Sequence, residues 1–261
     1  MWKYIVWVIK VVPRVIFDYF AWIRRYARRP ERYPLEVRYA KVRAFCLRLC
    51  RKLGVKVNVV NRPIQDRSEV RYYICNHVGF FDPIVLIATS REPIFFVAKK
   101  ESKKMPFVGK ILKCIDGVFI DRGNLRQEIQ AMKVLRNRLA DKKGHVCIYP
   151  EGTRNKSYTA PLADFKPGGF KPAISNLTPI YPIAIWGTQF ILQSKFHLKG
   201  GYNVLLVFLP EINLTLEDDT INIAAKAQEI MQDKVNNLRN YYYDVYLRND
   251  KRNRVGKFIS N

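Results

Sequence analysis

From residue 55 onwards, short runs of β-branched and aromatic residues alternate with longer segments in which apolar residues recur every three or four positions. The short runs predict strands at Val55–Val60, Val70–Asn76, Ile94–Ala98, Gly117–Asp121, His145–Tyr149, Ile180–Trp186 and Tyr202–Leu209. Two periodic segments predict helices with apolar faces made of Leu125, Ile129, Met132, Leu135 and Leu139, and of Ile223, Ala227, Ile230, Val235 and Leu238. Strands and helices in this order predict an α/β fold with a mainly parallel sheet covered by helices.

The beginning of the chain follows a different pattern and predicts a helix with a narrow charged stripe. Within an arc of about 80° lie Lys3, Lys10, Arg14, Asp18 and Arg25. The rest of that surface is apolar or aromatic and includes Trp2, Trp7 and Trp22. Further cations at the end of the helix are Arg24, Arg28 and Arg29. This combination is typical of a helix lying in the plane of a membrane and contacting anionic lipids.

A single N-terminal membrane span is the alternative for this helix. It would place Lys10, Arg14 and Asp18 inside the bilayer. Insertion of each charged side chain costs about 2.5–3.5 kcal/mol, so the in-plane position is favoured. A second amphipathic helix follows Pro34 and ends at Gly54. Its apolar face consists of Leu35, Tyr39, Val42, Cys46, Leu49 and Leu53. We therefore expect membrane-associating helices at 1–53, an α/β domain at 54–247 and a basic tail at 248–261.

The composition of the chain gives it a strong positive net charge. The 261 residues include 46 Lys and Arg against 22 Asp and Glu, which gives a net charge of +24. Such a charge predicts an anionic partner. The aromatic N-terminus favours a membrane surface, and no nucleic-acid-binding signature accompanies the charge. The five cysteines lack the spacing of a disulfide framework or a metal site, which fits a reducing, cytoplasmic compartment.

Candidate chemistry gathers just after the predicted strands. His77 follows the second strand and Asp82 comes five residues later, where a backbone turn can bring the carboxylate to the imidazole and orient a general base. Asp82 before Pro83 also matches the N-cap of a helix, which is the structural alternative. Lys99, Arg122 and the segment 150–154 follow three other strands. Because open α/β sheets bind ligands at these strand ends, the cations suit a phosphate.

Taken in order, these blocks resemble the glycerophospholipid acyltransferase family, of the 1-acylglycerol-3-phosphate acyltransferase (PlsC-like) type. The N-H-x-x-x-x-D block corresponds to Asn76, His77 and Asp82. F-I-x-R ends at Arg122, P-E-G-T-R occupies 150–154, and the proline within an apolar strand is Pro182. Softer matches are A-K-x-E at 98–101 and F-K-x-G at 165–168. The resemblance covers about residues 70 to 185.

The resemblance implies an enzyme at the cytoplasmic face of the cell membrane that makes phosphatidic acid. It would transfer an acyl group from acyl carrier protein or coenzyme A to the sn-2 hydroxyl of lysophosphatidic acid, with His77 as base and Asp82 orienting it. The implied phosphate and glycerol site consists of Lys99, Arg122, Glu151, Gly152 and Arg154. Asn76 and Thr153 would support it. No metal and no other cofactor is implied.

Two alternatives stay open at this point. Within the same chemistry, the acceptor is glycerol 3-phosphate, acylated at sn-1, or another lysophospholipid. In a different class, the chain is a basic membrane-binding protein without catalysis, which would tolerate replacement of His77. The choice of acyl donor and the preferred acyl-chain length also stay open.

Overall fold

A computed structural model describes residues 11–64, 69–121, 123–191 and 201–248. Several residues named above lie outside these ranges: Trp2, Lys3, Trp7, Lys10, Arg122 and the tail from 249 to 261. The expectations placed on them therefore stay predictions.

The centre of the fold is a seven-stranded sheet. Its strands are β1 (Val55–Val60), β2 (Tyr72–Cys75), β3 (Ile94–Lys99), β4 (Val118–Ile120), β5 (His145–Ile148), β6 (Ile180–Trp186) and β7 (Tyr202–Phe208). The spatial order is β1-β7-β6-β2-β5-β3-β4. Neighbouring strands are parallel except for β6 and β7, so β1 and β7 run opposite to the other five. The predicted mainly parallel sheet is confirmed.

Seven helices accompany the strands in the described part of the chain. They are α1 (residues 11–28, with a π-helical turn at Tyr19–Ile23), α2 (Leu35–Leu53), α3 (Asp82–Thr89), α4 (Val108–Cys114), α5 (Leu125–Ala140), α6 (Lys171–Ile174) and α7 (Thr220–Tyr242). The side chain of Asn124 caps α5, and that of Asp219 caps α7. Gly54 ends α2 with φ +69°, a conformation that favours glycine.

The two N-terminal helices pack on the α/β body and share its hydrophobic core. Trp22 belongs to this core and is 7% exposed, so its predicted contact with the membrane is wrong. Helix α2 lies against α3 and buries Tyr39, Val42 and Cys46 of its predicted apolar face. Arg38 of α2, which is 5% exposed, connects α2 to the end of α4. Its guanidinium donates to Cys114 O at 2.6 Å and to both carboxylate oxygens of Asp116 at 2.8 and 2.9 Å. No described helix is long and apolar enough to cross a bilayer.

Helix α5 departs from its predicted packing. Leu135 and Leu139 at its C-terminal end are buried as expected, but Leu125 and Ile129 at the other end are 70% and 60% exposed. The apolar face predicted from the sequence is real, and its first half lines an open groove instead of the core. Periodicity alone cannot separate these cases, since a ligand groove and a core both require apolar residues on one helix face.

Sheet topology brings the site together. Strands β2 and β5 are adjacent and parallel, with Ile74 opposite Ile148, so the segments that follow them leave the sheet at one edge. Strand β6 is parallel to β2 on its other side and ends at the same edge. The loop after β2, the loop after β5 and the turn after β6 therefore meet above the strand ends.

Candidate active site

Asp82 holds His77 in one orientation. The carboxylate is fully buried, and its Oδ2 lies 2.7 Å from His77 Nδ1. The same oxygen accepts from the backbone N–H groups of Val78 and Gly79, each at 2.9 Å, while Oδ1 accepts from the Thr188 hydroxyl. With Asp82 ionised, Nδ1 of His77 carries the proton that it donates, which leaves Nε2 free to accept one.

Asp82 does not cap its helix. It is the first residue of α3, and its carboxylate points back to the amides of the turn that precedes the helix. The N-cap alternative is therefore wrong. The turn also requires Gly79, because a Cβ there would lie 2.6 Å from Thr188 Oγ1 and 2.8 Å from the Thr188 carbonyl carbon. The close approach of Gly79 to Thr188 allows the turn after β6 to reach Asp82.

Two further polar side chains fix the backbone around His77. Asn76 is fully buried and exchanges two hydrogen bonds with Ile185, at 3.0 and 2.8 Å, which extends the pairing of β2 with β6. Glu151 is 3% exposed; its Oε1 accepts from His77 N at 2.9 Å and its Oε2 from Ala163 N at 3.1 Å. Burial raises the pKa of Glu151, although these two hydrogen bonds oppose the shift.

An aromatic ring covers one face of the imidazole. Tyr149, the residue after β5, stacks on His77 with ring centroids 4.1 Å apart and an angle of 22° between the planes. Phe96 of β3 lies behind it, with its ring centroid 6.4 Å from that of Tyr149. Burial raises the pKa of the Tyr149 hydroxyl well above its usual range, so this group stays protonated.

Two of the predicted cations, Lys99 and Arg154, lie at the same edge of the sheet. Lys99 at the end of β3 and Arg154 in the loop after β5 are exposed, and neither forms an ion pair with any described residue. Lys100, the neighbour that strand alternation directs to the other face, pairs with Asp121 at 3.0 Å. Thr153 is exposed beside Arg154. The phosphate-binding roles of these residues stay predictions, and Glu151 forms no ion pair with Arg154 in the described structure.

Lys166 is a further cation at this site. Gly152 has φ +69°, and a Cβ added there would lie 2.9 Å from Lys166 Cε and 3.3 Å from its Nζ. The Lys166 amide also donates to Pro150 O at 3.0 Å, which ties its loop to the segment 150–154. Glycine at position 152 thus leaves room for the lysine side chain beside the loop that carries Arg154.

A groove of about 780 Å³ is lined in part by Tyr149, whose ring stacks on His77, and by Gly152. Its apolar lining includes Val97, Ile120, Leu125, Ile129, Met132 and Ile148. Its basic lining consists of Lys133, Arg136, Lys166 and Lys171. An apolar floor with cations around it suits a ligand that has both a hydrocarbon part and an anionic part.

Three participants were missed in the sequence: Thr188, Tyr149 and Lys166. Thr188 follows a strand that pairs with β2 only in the fold, so its partner Asp82 lies 106 positions away in sequence. Tyr149 directly precedes the P-E-G-T-R block and Lys166 belongs to the F-K-x-G block, so their positions in or beside these motifs could have indicated both residues.

The cysteines take no part in the site, since all five are free and buried. No three metal-ligating side chains meet within the described ranges.

A histidine held by a buried carboxylate, at the strand ends of an α/β sheet and near an apolar groove, matches the class of enzymes that use a general base on an amphipathic substrate. The family follows from comparison with known proteins. The Acyltransferase family model matches residues 56–186, half of the chain, and this span includes His77, Asp82 and the segment 150–154. The chain belongs to the Acyltransferase family and is an acyltransferase.

Curated relatives agree with the family model. A probable 1-acyl-sn-glycerol-3-phosphate acyltransferase of Mycoplasma pneumoniae is 34% identical over 206 residues, 73% of this chain and 74% of the relative. Its counterpart in Mycoplasma genitalium is 31% identical over 240 residues, 85% and 88% of the two chains. The 1-acyl-sn-glycerol-3-phosphate acyltransferase of Escherichia coli is 27% identical over 72% of this chain and 76% of its own length.

A solved structure shares the fold. The lysophosphatidic acid acyltransferase PlsC of Thermotoga maritima superposes with a TM-score of 0.62 over 91% of this chain and 92% of its own. Sequence identity is 21%, so this likeness concerns the fold. It confirms the α/β architecture expected from the sequence, and the family match confirms the expected enzyme class.

Proposed function

We propose that the protein transfers an acyl group from an acyl thioester to the sn-2 hydroxyl of lysophosphatidic acid and so forms phosphatidic acid. The observation that carries the proposal is the His77–Asp82 pair, held by Thr188 and two backbone amides beside an apolar groove. The activity printed in the names of the curated relatives supports the choice of acceptor.

In the proposed reaction, Nε2 of His77 takes the proton of the acceptor hydroxyl as its oxygen attacks the thioester carbonyl. The new C–O ester bond forms, the C–S bond breaks, and the proton on His77 neutralises the departing thiolate. Asp82 stays ionised and stabilises the imidazolium that forms between these steps. The thioester arrives activated, so the mechanism needs no covalent acyl-enzyme.

The acceptor phosphate is assigned to the cations at the edge of the sheet. Lys99 and Arg154 are exposed there, Arg122 ends the F-I-x-R block of the resemblance, and Lys166 stands beside Gly152. A guanidinium matches two phosphate oxygens at once, whereas lysine contributes a point charge. Glu151 contributes by holding the amide of His77.

The acyl donor is assigned to the groove. Its apolar lining, with Leu125 and Ile129, suits the hydrocarbon chain, and its basic lining suits the phosphate of a phosphopantetheine arm. Coenzyme A and acyl carrier protein both present that arm, so the groove supports either donor. The exposed apolar side of α1, with Ile16, Phe17 and Phe20, supports a position on a membrane surface, where the acceptor lies.

The proposal is tested by acyl transfer from a labelled acyl thioester to lysophosphatidic acid in anionic vesicles. Wild type, His77→Ala, Asp82→Asn and the control Asp233→Asn, which removes an exposed carboxylate on α7, are compared. Loss of the general base should lower the rate by about 10²–10⁴, whereas the control should keep it. Circular dichroism establishes that each variant is folded.

Glycerol 3-phosphate is offered as a competing acceptor. Phosphatidic acid formed by the wild type and the control, and not by His77→Ala, supports the proposal. Product only from glycerol 3-phosphate would move the reaction to sn-1. Equal rates in wild type and His77→Ala would contradict the general-base role. No transfer from either donor, with vesicle binding intact, would leave a membrane-binding protein without this activity.

A further inference from the structure

A second pocket lies between α1 and α2, in a part of the molecule that the proposed reaction does not use. Its volume is about 290 Å³. The side chains that matter for its chemistry are Arg14, Asp18, Trp22, Arg25, Lys41 and Arg48. Four of these are cations and one is a carboxylate, so the pocket has a net charge of three positive units.

The single carboxylate is already occupied by protein donors. Asp18 is 2% exposed and accepts from Trp22 Nε1 at 3.1 Å, Arg14 Nε at 3.2 Å and Arg48 Nη2 at 3.1 Å. Burial raises the pKa of Asp18, but these three hydrogen bonds outweigh it and the net direction is downward. Asp18 is therefore ionised at neutral pH and positions two arginines at the pocket.

Several donors at the pocket still lack an acceptor. Arg48 Nε is buried without a hydrogen-bond partner among the described residues. Lys41 is exposed and forms no ion pair within the described ranges. Arg25 contacts only aromatic faces there, with its guanidinium carbon 5.5 Å from the Tyr26 ring centroid and 5.6 Å from that of Tyr33. Because buried donors are normally paired, Arg48 Nε favours an external acceptor, and the exposed Arg25 and Lys41 beside it favour an anionic one.

The position of the pocket indicates where that anion comes from. Helix α1 exposes an apolar stripe made of Val12, Ile16, Phe17 and Phe20, with exposures from 36% to 66%. Phe17 belongs to both the stripe and the pocket. An in-plane helix buries such a stripe at the level of the acyl chains, which puts the edge of the stripe at the level of the headgroups.

We propose that this pocket binds the phosphate of one anionic phospholipid headgroup. Arg25, Lys41 and Arg48 supply the donors, and Asp18 holds Arg48 in place. The site fixes the rotation of α1 about its own axis on the membrane, which diffuse attraction between a basic surface and anionic lipid does not do. The proposal rests on the membrane position given to α1 above and is independent of the acyl-transfer chemistry.

The test compares two double variants that remove the same charge from the same helices. Arg25→Gln with Lys41→Gln alters the pocket, whereas Arg28→Gln with Arg51→Gln removes two exposed cations that do not line it. Binding to phosphatidylcholine vesicles containing phosphatidylglycerol is measured by flotation. Diffuse attraction predicts about a fivefold loss per removed charge, equal in both variants. The pocket predicts about a further tenfold loss in the first variant only.

Two further arms identify the source of the phosphate. Phosphatidylcholine vesicles that carry the same surface charge from oleate should show equal losses for the two variants, because their only phosphate is the choline-paired phosphate of a zwitterionic headgroup. Inorganic phosphate is titrated into lipid-free protein and followed by Trp fluorescence, and it should bind both variants equally weakly. Tight phosphate binding lost only in the pocket variant would assign the pocket to free phosphate and overturn the lipid source. Equal losses on phosphatidylglycerol vesicles would overturn the site altogether, and thermal unfolding of both variants establishes that they are folded.

Discussion

The ring of Tyr149 lies flat against the imidazole of His77, with the two centroids 4.1 Å apart. Asp82 fixes the imidazole through one nitrogen, and a single hydrogen bond leaves the ring free to rock about it. The stacked ring removes that freedom on one side. Tyr149 is the first residue after β5 and Glu151 the third, so this short segment fixes both the ring of His77 and its backbone amide.

We expect Tyr149→Leu to lower kcat by about tenfold without changing KM, because an aromatic pair is worth about 0.5–1.5 kcal/mol beyond its buried area. Tyr149→Phe is the matched control. It keeps the ring and removes a buried hydroxyl that has no partner among the described residues, so it should keep kcat and raise the free energy of unfolding by about 1 kcal/mol. Steady-state kinetics and urea unfolding check both; a similar loss of kcat in the two variants would contradict the stacking role.

Thr188 is expected to act through Asp82. In Thr188→Val the Oδ1 atom of a buried carboxylate loses its side-chain donor, which costs about 1–3 kcal/mol and loosens the group that orients His77. We expect kcat to fall by about 10- to 100-fold with little change in KM. Thr188→Ser keeps the hydroxyl and should restore most of the rate. If the serine variant were as slow as the valine variant, the hydroxyl of Thr188 would not be what supports Asp82.

Lys166 is expected to contribute to substrate binding, because its ammonium group lies beside Gly152. Lys166→Gln should raise KM for lysophosphatidic acid or for the acyl donor by about tenfold and change kcat less, as loss of a charge-assisted contact does. Lys156→Gln removes an equally exposed cation that does not line the groove and serves as the control. Varying each substrate in turn shows which KM moves. Identical behaviour of the two variants would remove Lys166 from the site.

Much of the fold was predictable because the local signals agree with the tertiary structure. All seven strands begin and end within two residues of their predicted limits, since each is a short β-branched run bounded by glycine, proline or charged residues. The reversed direction of β1 and β7 was not predictable. Strand direction in a sheet depends on which distant strands pair, and the run at β7 reads the same in either direction.

In the candidate site, as in the fold, local contacts were predictable from the sequence and contacts between distant segments were not. His77 and Asp82 lie five positions apart, so one turn connects them and the sequence predicts the contact. Their support comes from elsewhere: Thr188 reaches Asp82 from the turn after β6, and Tyr149 reaches His77 from β5. Glu151 was predicted to bind the substrate and Asn76 to support the site, and the structure shows both buried and bonded to the backbone. Residue type and spacing indicate that a polar group is needed and do not indicate which atom it contacts.

The groove beside α5 predicts a change in acyl-chain preference. Ile129 is 60% exposed and lines the groove, so Ile129→Trp should fill part of its volume and leave the core unchanged. We expect activity with the longest acyl chains to fall by about tenfold, while short chains keep their rate; each methylene excluded from an apolar site costs about 0.8 kcal/mol. Ile221→Trp, at an exposed position on α7, is the control. A uniform loss over all chain lengths would show that the acyl chain does not lie there.

A pH effect on stability is expected from His145, which is far from the chemistry. Burial, reinforced by the positive charge of Arg71, lowers the pKa of His145 from 6.5 to about 4. Its Nδ1 accepts from the Arg71 amide at 3.1 Å, so the folded protein keeps this ring neutral. The unfolded chain binds a proton at about pH 6.5, so the stabilisation is complete above that pH and is lost as the pH falls towards 4. The loss amounts to about 3 kcal/mol.

His145→Asn isolates this contribution, because the amide oxygen can accept from the Arg71 amide and does not titrate. Urea unfolding of both proteins between pH 7 and pH 4 should show the wild type losing about 3 kcal/mol more than the variant. Carboxylates such as Glu151, whose pKa is raised by burial, act in the opposite direction and cancel in the comparison because both proteins contain them. Parallel stability curves for the two proteins would mean that His145 is protonated in the folded state, against its burial beside a guanidinium.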